Sequence, residues 1–472
     1  MTAPTPVTTE DITGFDLHDI QGNILRGYRM PNARHFALTV GNGGGARAFL
    51  GALVSGDGSV APQVTTASDW ADQKPHYCLN VAVTFAGLRA LGVPESTLSL
   101  FPSPFRNGPA ANAGALGDTG PSDPASWVMG GPANPPVHLL VSLFSSEHRE
   151  PAREQWSAVL KGMFERSALT EAWTQDANAL ADSKVHFGYR DGIGQPRIEG
   201  APGKSMPDMQ PAALAGDFLL GKHYLNQYDG NFLGEVPNEL GDNATYAALR
   251  IIKQEVRAFE TFITVAGKRH NLNPELVAAK LMGRWRNGMP LTLSPREPEP
   301  HSRPIGPNQI DCFDFGPSDE HPTYFDDGDG KRCPVGAHIR RLNPRSGMSM
   351  GKPHSRRIIR RGIPYGPEFD ASKPDDGIER GLFGFFICGD LGMQFEFIHG
   401  TWANCDLSAA GIRGTRDAIL GAQGDDGGQF VLRTNDARDP IVFDNLPRFV
   451  TTRGSVYCLI PGVGGLRFLA GA

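Results

Sequence analysis

Apolar and polar positions along this chain change in short stretches rather than in one sustained period. His35–Val40 (HFALTV), Leu79–Phe85 (LNVAVTF) and Val137–Phe144 (VHLLVSLF) alternate or run apolar, which predicts strands. Glu150 to about Phe164 has helical spacing, and the Gly/Ala/Pro-rich stretches Gly108–Gly120 and Gly130–Pro136 predict loops. His18–Tyr28 (HDIQGNILRGY) sets a short apolar run among turn residues. After the Pro/Gly/Ala-rich stretch Gly200–Gly216, residues Ile252, Val256, Phe259 and Ile263 fall at i, i+4, i+7 and i+11, one face of a helix. Asn273-Pro274-Glu275 combines an N-cap, a proline at the first helical position and an acid in the first turn, so a further helix starts there and fades near Gly283 or Gly288. Pro290–Lys331 reads as a long ordered loop, Gly381–Gly389 (GLFGFFICG) as a buried strand and Phe395–Trp402 as a helix. The pattern predicts an α+β protein in two parts, residues 1–210 and 211–472.

Composition narrows the class. A chain of 472 residues can bury a large core, and 58 glycines with 38 prolines fit many turns and long connections. A net charge of -6 gives no general attraction to nucleic acid or anionic membranes. There is no apolar run long enough for a membrane span. The N-terminal MTAPTPVTTEDITG lacks a cationic start and an apolar core, so no secretion signal is expected and the cytoplasm is the expected location. The six cysteines are scattered without a CxxC pair, which predicts free, mostly buried thiols.

Three stretches could carry chemistry. In Gly188-Tyr189-Arg190-Asp191-Gly192-Ile193-Gly194-Gln195-Pro196, glycines around an acid allow sharp turns and the close approach of a flat ligand. Alone it reads equally as an Asp-Gly turn, and the spacing does not fit a dinucleotide loop. In Cys333-Pro334-Val335-Gly336-Ala337-His338-Ile339-Arg340-Arg341, small residues before one histidine leave room for a macrocycle over the imidazole. A satisfied core histidine is the bland alternative, and thiolate ligation by Cys333 a second one. Arg356-Arg357-Ile358-Ile359-Arg360-Arg361-Gly362 suits either a solvated basic patch or a strand carrying a buried arginine that needs an anionic partner.

Together, Val185–Gly200, Cys333–Arg345 and Arg356–Gly366 closely resemble, in order and spacing, three motif regions of the dye-decolourising peroxidases, haem enzymes. HDIQGNILRGY, the Asn243–Tyr246 stretch with the Ile252–Ile263 helix, and QFEFIHGTWAN (Gln394–Asn404) extend the resemblance over most of the chain, closest to the longer-chain branch. The resemblance implies two ferredoxin-like halves, antiparallel sheets with peripheral helices, and haem held mainly by the C-terminal half. It implies His338 as axial iron ligand, Asp191 as acid–base residue and Arg360 as the arginine on the peroxide side, with Arg361 its nearest rival. Arg345 matches a position near a haem propionate, and Asp417 resembles the acid that accepts the N–H of the axial imidazole. Gly192, Gly194, Leu382 and Phe385 complete the expected haem surround.

Two departures stand out. Gly362 replaces a residue that is often Ser or Asn, and Gly384 falls where an aromatic often sits, with Phe385 the candidate to fill that space. The absence of CxxCH implies haem b held without covalent attachment. The implied reaction reduces hydrogen peroxide and oxidises dyes, phenols or other bulky aromatics one electron at a time. A carboxylate rather than a histidine as base implies an acidic pH optimum. Six tryptophans (Trp70, Trp127, Trp156, Trp173, Trp285 and Trp402) are candidates for oxidation at the surface, though their ordinary use is core packing. The competing readings are a haem-handling protein with little turnover and a protein in which the motifs are only turns. GxSxG, HExxH and P-loop motifs are absent.

Overall fold

The structure, a computed structural model, describes residues 15–471 except 56–60, 69–73, 147–149, 202–210, 222–224, 227–229, 232–237, 297–308, 312, 314, 316–326, 346–353, 407–411 and 434–439. The first half runs β1 (Asn32–Val40), α1 (Gly43–Ala52), β2 (Tyr77–Val83), β3 (Leu139–Ser145), α2 (Glu150–Arg166) and β4 (Leu169–Asn178). Its strands lie side by side in the order β4-β1-β3-β2, all neighbours antiparallel.

The second half repeats this succession. It runs β5 (Thr245–Gln254), α3 (Val256–His270), α4 (Pro274–Met282), α5 (His338–Leu342), β6 (Ile359–Tyr365) and β7 (Gly381–Cys388). A π-wound helix (Leu391–Glu396 and Ile398–Ala403) follows, then the hairpin β8 (Gly428–Leu432) and β9 (Ile441–Leu446), β10 (Val450–Ile460) and α6 (Val463–Ala470). The order β10-β5-β7-β6, again antiparallel, matches the first half position for position, so each half is a ferredoxin-like unit. One register pair, Leu459 with Val83, joins the two sets into an eight-stranded sheet.

Local chemistry explains most element boundaries. The Asn273 side chain accepts the Glu275 N–H at 2.9 Å and starts α4, and Gly283 at φ 99° ends it. Val256, Phe259 and Ile263 are buried on α3, as their spacing requires, but Ile252 belongs to β5. The reason is that β5 is central and buried on both faces, so its run TYAALRIIKQ shows no alternation and merges with the apolar face of the helix beyond it. Gly108–Gly120 holds short helical turns (Pro109–Asn112, Ala113–Leu116) rather than plain loop. The expected loop Pro290–Lys331 and the boundary at 210/211 fall largely or partly outside the described residues, as do the polar leader and Cys312. Cys78, Cys333, Cys388 and Cys458 are free and buried, and Cys405 is free and exposed.

The halves share an aromatic core between β1, β4 and β7. The His35 ring of β1 stacks on Phe383 of β7 with centroids 3.7 Å apart, and Trp173 of β4 lies parallel to Phe383 at 5.8 Å. His35 Nδ1 meets Ser142 Oγ at 2.9 Å, while Nε2 is buried without a partner among the described residues. Burial pushes this imidazole down to about 3, so it is neutral in the fold and titrates at its ordinary value when unfolded. The unfolded chain therefore binds the extra proton between the two values, and stability falls as pH drops through that window, by at most about 1.4 kcal/mol per pH unit. His35→Phe, which keeps the stack, is expected to give a shallower loss of the urea midpoint between about pH 6 and pH 4. An unchanged slope would assign the acid sensitivity to other groups.

Candidate active site

The site begins with strand alternation. On β6 and β7 the register pairs Arg360 with Phe386, Gly362 with Gly384 and Pro364 with Leu382, all on one face. That face fronts a cavity of about 1690 Å³ counting its mouth, walled also by Phe187, Ile252, Ile419 and Leu420. Arg361 points the other way: its guanidinium donates to the carbonyls of Asn23 (2.7 Å) and Ile24 (3.0 Å). Alternation therefore separates the two rival arginines, giving Arg360 to the cavity and Arg361 to the core. The Phe385 ring also lies on the core face, against His35 and Phe383. Phe385 borders the cavity, but it does not fill the space at Gly384 as expected from its position next door.

The glycine-rich stretch supplies a second wall. Gly188 and Gly192 take φ of 84° and 78°, conformations open to glycine, and carry the chain around Asp191, whose N–H bonds Ser183 O at 3.0 Å. Gln195 anchors this stretch to β6. Its Nε2 donates to Arg360 O at 2.8 Å and its Oε1 accepts the Arg360 N–H at 3.0 Å, as a neighbouring strand would. The Asp191 carboxylate lies 3.8 Å from Arg360 Nη2, with side chains 35% and 37% exposed. Such a long, open pair leaves the carboxylate able to exchange a proton and the guanidinium able to face another anion.

A third wall carries His338, the first residue of α5. Its Nδ1 is 3.0 Å from Asp417 Oδ1, and the same fully buried oxygen accepts the N–H groups of Ile419 (3.0 Å) and Leu420 (2.7 Å). Burial raises the Asp417 carboxyl, but His338, the Leu420 amide and Arg341 outweigh it and hold it below its ordinary value. An acceptor of that kind assigns the proton to Nδ1 and leaves the Nε2 lone pair for the cavity. Arg341 fixes α5 to the π-wound helix by donating to Trp402 O and to Cys405 O at 2.9 Å. Cys333 is off the cavity wall and buried, and burial pushes its thiol up to about 12, so it offers no thiolate there.

Arg345 also reaches the wall, bonded to Asp311 Oδ1 at 2.9 Å, and Arg284 shares that oxygen at 2.8 Å. Among the described residues, Arg345 Nε and Arg357 Nε are buried without a partner. Gly192, Gly194 and Leu382 line the cavity with Asp191, Arg360, His338, Arg345 and Phe385, while Asp417 stands behind His338. An apolar chamber, an imidazole with a free nitrogen and two orphaned guanidinium N–H groups fit a flat, ligand-accepting dianion such as haem.

Two residues that shape the site had no role assigned from the sequence: Gln195, which clamps the glycine-rich wall to β6, and His399, which lines the cavity. Gln195 was only one member of the glycine-rich motif. His399 stood unremarked in QFEFIHGTWAN; it is buried on the wall against Phe395, with ring centroids 4.7 Å apart, and burial holds it well below its usual range, hence neutral.

Fold and site define the class: two ferredoxin-like units whose cavity presents an anchored imidazole, a carboxylate and an arginine. No family model matches the chain. Peroxidase 2 of Mycetinis scorodonius is 29% identical over 415 residues, 85% of this chain and 76% of the relative. The dye-decolorizing peroxidase of Mycena epipterygia is 28% identical over 488 aligned positions, 97% of this chain and 88% of the relative. Among solved structures, a decolorizing peroxidase from Auricularia auricula-judae superposes with a TM-score of 0.78 at 25% identity, covering 97% of this chain and 100% of that one. A dye-decolorizing peroxidase in complex with 2,6-dimethoxyphenol shares the fold at a TM-score of 0.77 and 24% identity, with 97% and 100% covered. Over nearly its whole length this chain is similar to dye-decolorizing peroxidases, in sequence and in fold.

Because Gln195 makes two bonds to one backbone unit, Gln195→Ala is expected to cost about 1–3 kcal/mol. It should also speed proteolytic cleavage within the Asp191–Gln195 loop. Equal cleavage rates in variant and wild type would show that the loop is held by other contacts.

Proposed function

We propose that the chain is a haem-dependent peroxidase that reduces hydrogen peroxide and oxidises dyes, phenols or other bulky aromatic reductants in one-electron steps. The observation that carries this is the sharing of one cavity by His338, anchored on Asp417, and by the open Asp191–Arg360 pair. A haem carrier needs the first feature and has no use for the second. The phenol bound in a relative's structure supports phenols as one reductant class.

His338 would hold the iron through Nε2, Arg345 and Arg357 would face the propionates, and the missing CxxCH fits a b-type haem held without covalent bonds. Bound haem supplies the redox chemistry. Asp191 takes a proton from one peroxide oxygen and returns it to the other, which leaves as water. Arg360, permanently cationic, stabilises negative charge as the O–O bond breaks. Asp417 fixes the imidazole ring and raises its basicity. With a carboxylate in the proton-transfer role, activity is favoured on the acidic side. Of the tryptophans that could pass electrons to reductants too large for the cavity, Trp156 and Trp173 are the half-buried ones among the described residues. No described helix is long and apolar enough to cross a membrane, and the free thiols fit a reducing compartment such as the cytoplasm.

After haem reconstitution, His338→Ala is expected to lose the Soret band of the wild type. Asp191→Asn should keep that band and lose about 10²–10⁴-fold in kcat/KM for hydrogen peroxide. Full turnover in Asp191→Asn would assign the proton transfer to another base, whereas a wild type that shows the Soret band without peroxide turnover would favour the carrier reading. Asp417→Asn is expected to cost about 10–100-fold in activity or haem affinity.

A further inference from the structure

Gly362 and Gly384 face each other across β6 and β7, on the cavity face and between Arg360 and Leu382. A glycine inside a strand weakens it, so each needs a reason. Backbone conformation is not the reason, since neither residue has positive φ. Crowding is not the reason either. A side chain begun at Gly362 would meet only Asp191 Oδ2, at 3.7 Å, and one begun at Gly384 would meet Phe386 at 3.7 Å and the β6 backbone at 3.9 Å, all ordinary contacts. Gly381 of the same strand shows the contrast, because a Cβ there would lie 2.2 Å from Ile252 O. The two facing glycines leave space that side chains could have taken.

That space has a defined chemistry. Its floor is bare backbone, its flanks along β7 are Leu382 and Phe386, and one end carries Arg360 and Asp191. Such a recess suits a molecule with a peroxide end and an apolar body. We propose that the Gly362–Gly384 recess receives the organic group of an arylalkyl hydroperoxide, making Gly384 a specificity-determining position for the oxidant. This rests on the peroxidase reading above and extends it to the substrate class ROOH. The overall change is ROOH + 2 H⁺ + 2 e⁻ → ROH + H₂O. Asp191 takes the proton of the terminal oxygen and passes it to the oxygen bearing the aryl-containing group, which leaves as the alcohol when the O–O bond breaks. The terminal oxygen ends in water, with two electrons drawn singly from the aromatic reductant.

The test uses the haem-loaded full chain and reads both binding and turnover. In spectral titrations the wild type is expected to bind 4-phenylimidazole at least as tightly as imidazole; weaker binding of the larger ligand overturns the proposal. Gly384→Leu and Gly384→Phe are expected to weaken 4-phenylimidazole relative to imidazole by about tenfold or more. They should lower the ratio of kcat/KM for cumene hydroperoxide to that for hydrogen peroxide by about the same factor. Smaller changes in variants that keep the Soret band overturn it. The wild-type comparison stands even where a variant fails to fold. A wild type with no Soret band removes the peroxidase reading and this one together, whereas a wild type that turns over hydrogen peroxide but excludes both bulky probes removes only this one.

Discussion

A β-strand sends consecutive side chains to opposite faces, and this site depends on that rule at β6 and β7. One sheet thickness separates a packed aromatic core from the chamber. Ile363, Phe383, Phe385 and Ile387 are buried on one side, while Arg360, Leu382 and Phe386 border the chamber on the other. A slip of one residue in β6 would exchange Arg360 for Arg361 and expose core residues to the chamber. The register is secured from both sides, by the ladder with β7 and by the Gln195 amide on the Arg360 backbone.

The charges follow a similar logic of fixing one partner and leaving another open. Asp417 is buried, but two amides and the imidazole satisfy one of its oxygens, so the negative charge is tolerated and His338 is oriented. Asp311 is shared by Arg284 and Arg345, so among the described residues one carboxylate faces two guanidinium groups near the chamber. Excess positive charge in a confined, apolar space costs energy until an anion enters, and this biases the chamber toward a ligand with acidic groups.

Much of this was legible in the sequence. The strands β1, β2, β3 and β7 and the helix α4 announced themselves through apolar runs and capping residues. Asp191, His338 and Arg360 were named from motifs whose order along the chain mattered more than any one of them, and the three line one cavity. The start of α3 was misread because a strand buried on both faces has no alternation to separate it from the helix after it. The clamp by Gln195 and the burial of His399 were hidden for another reason: both depend on contacts between segments far apart in sequence. The position of Phe385 was misjudged because adjacency in sequence was taken for adjacency in space, which a strand forbids.

The place of β10 has a consequence in time. It is the last strand in chain order, yet it lies at the middle of the sheet, paired along its length with β5 and touching β2 at Leu459. While the chain emerges from the ribosome, the second unit lacks an edge partner for β5 and the first has nothing to join. Only after Ile460 is made can the sheet become continuous. Non-local pairing of this kind folds slowly. Removal of Val450–Ile460 would divide the sheet between its two halves instead of trimming an edge.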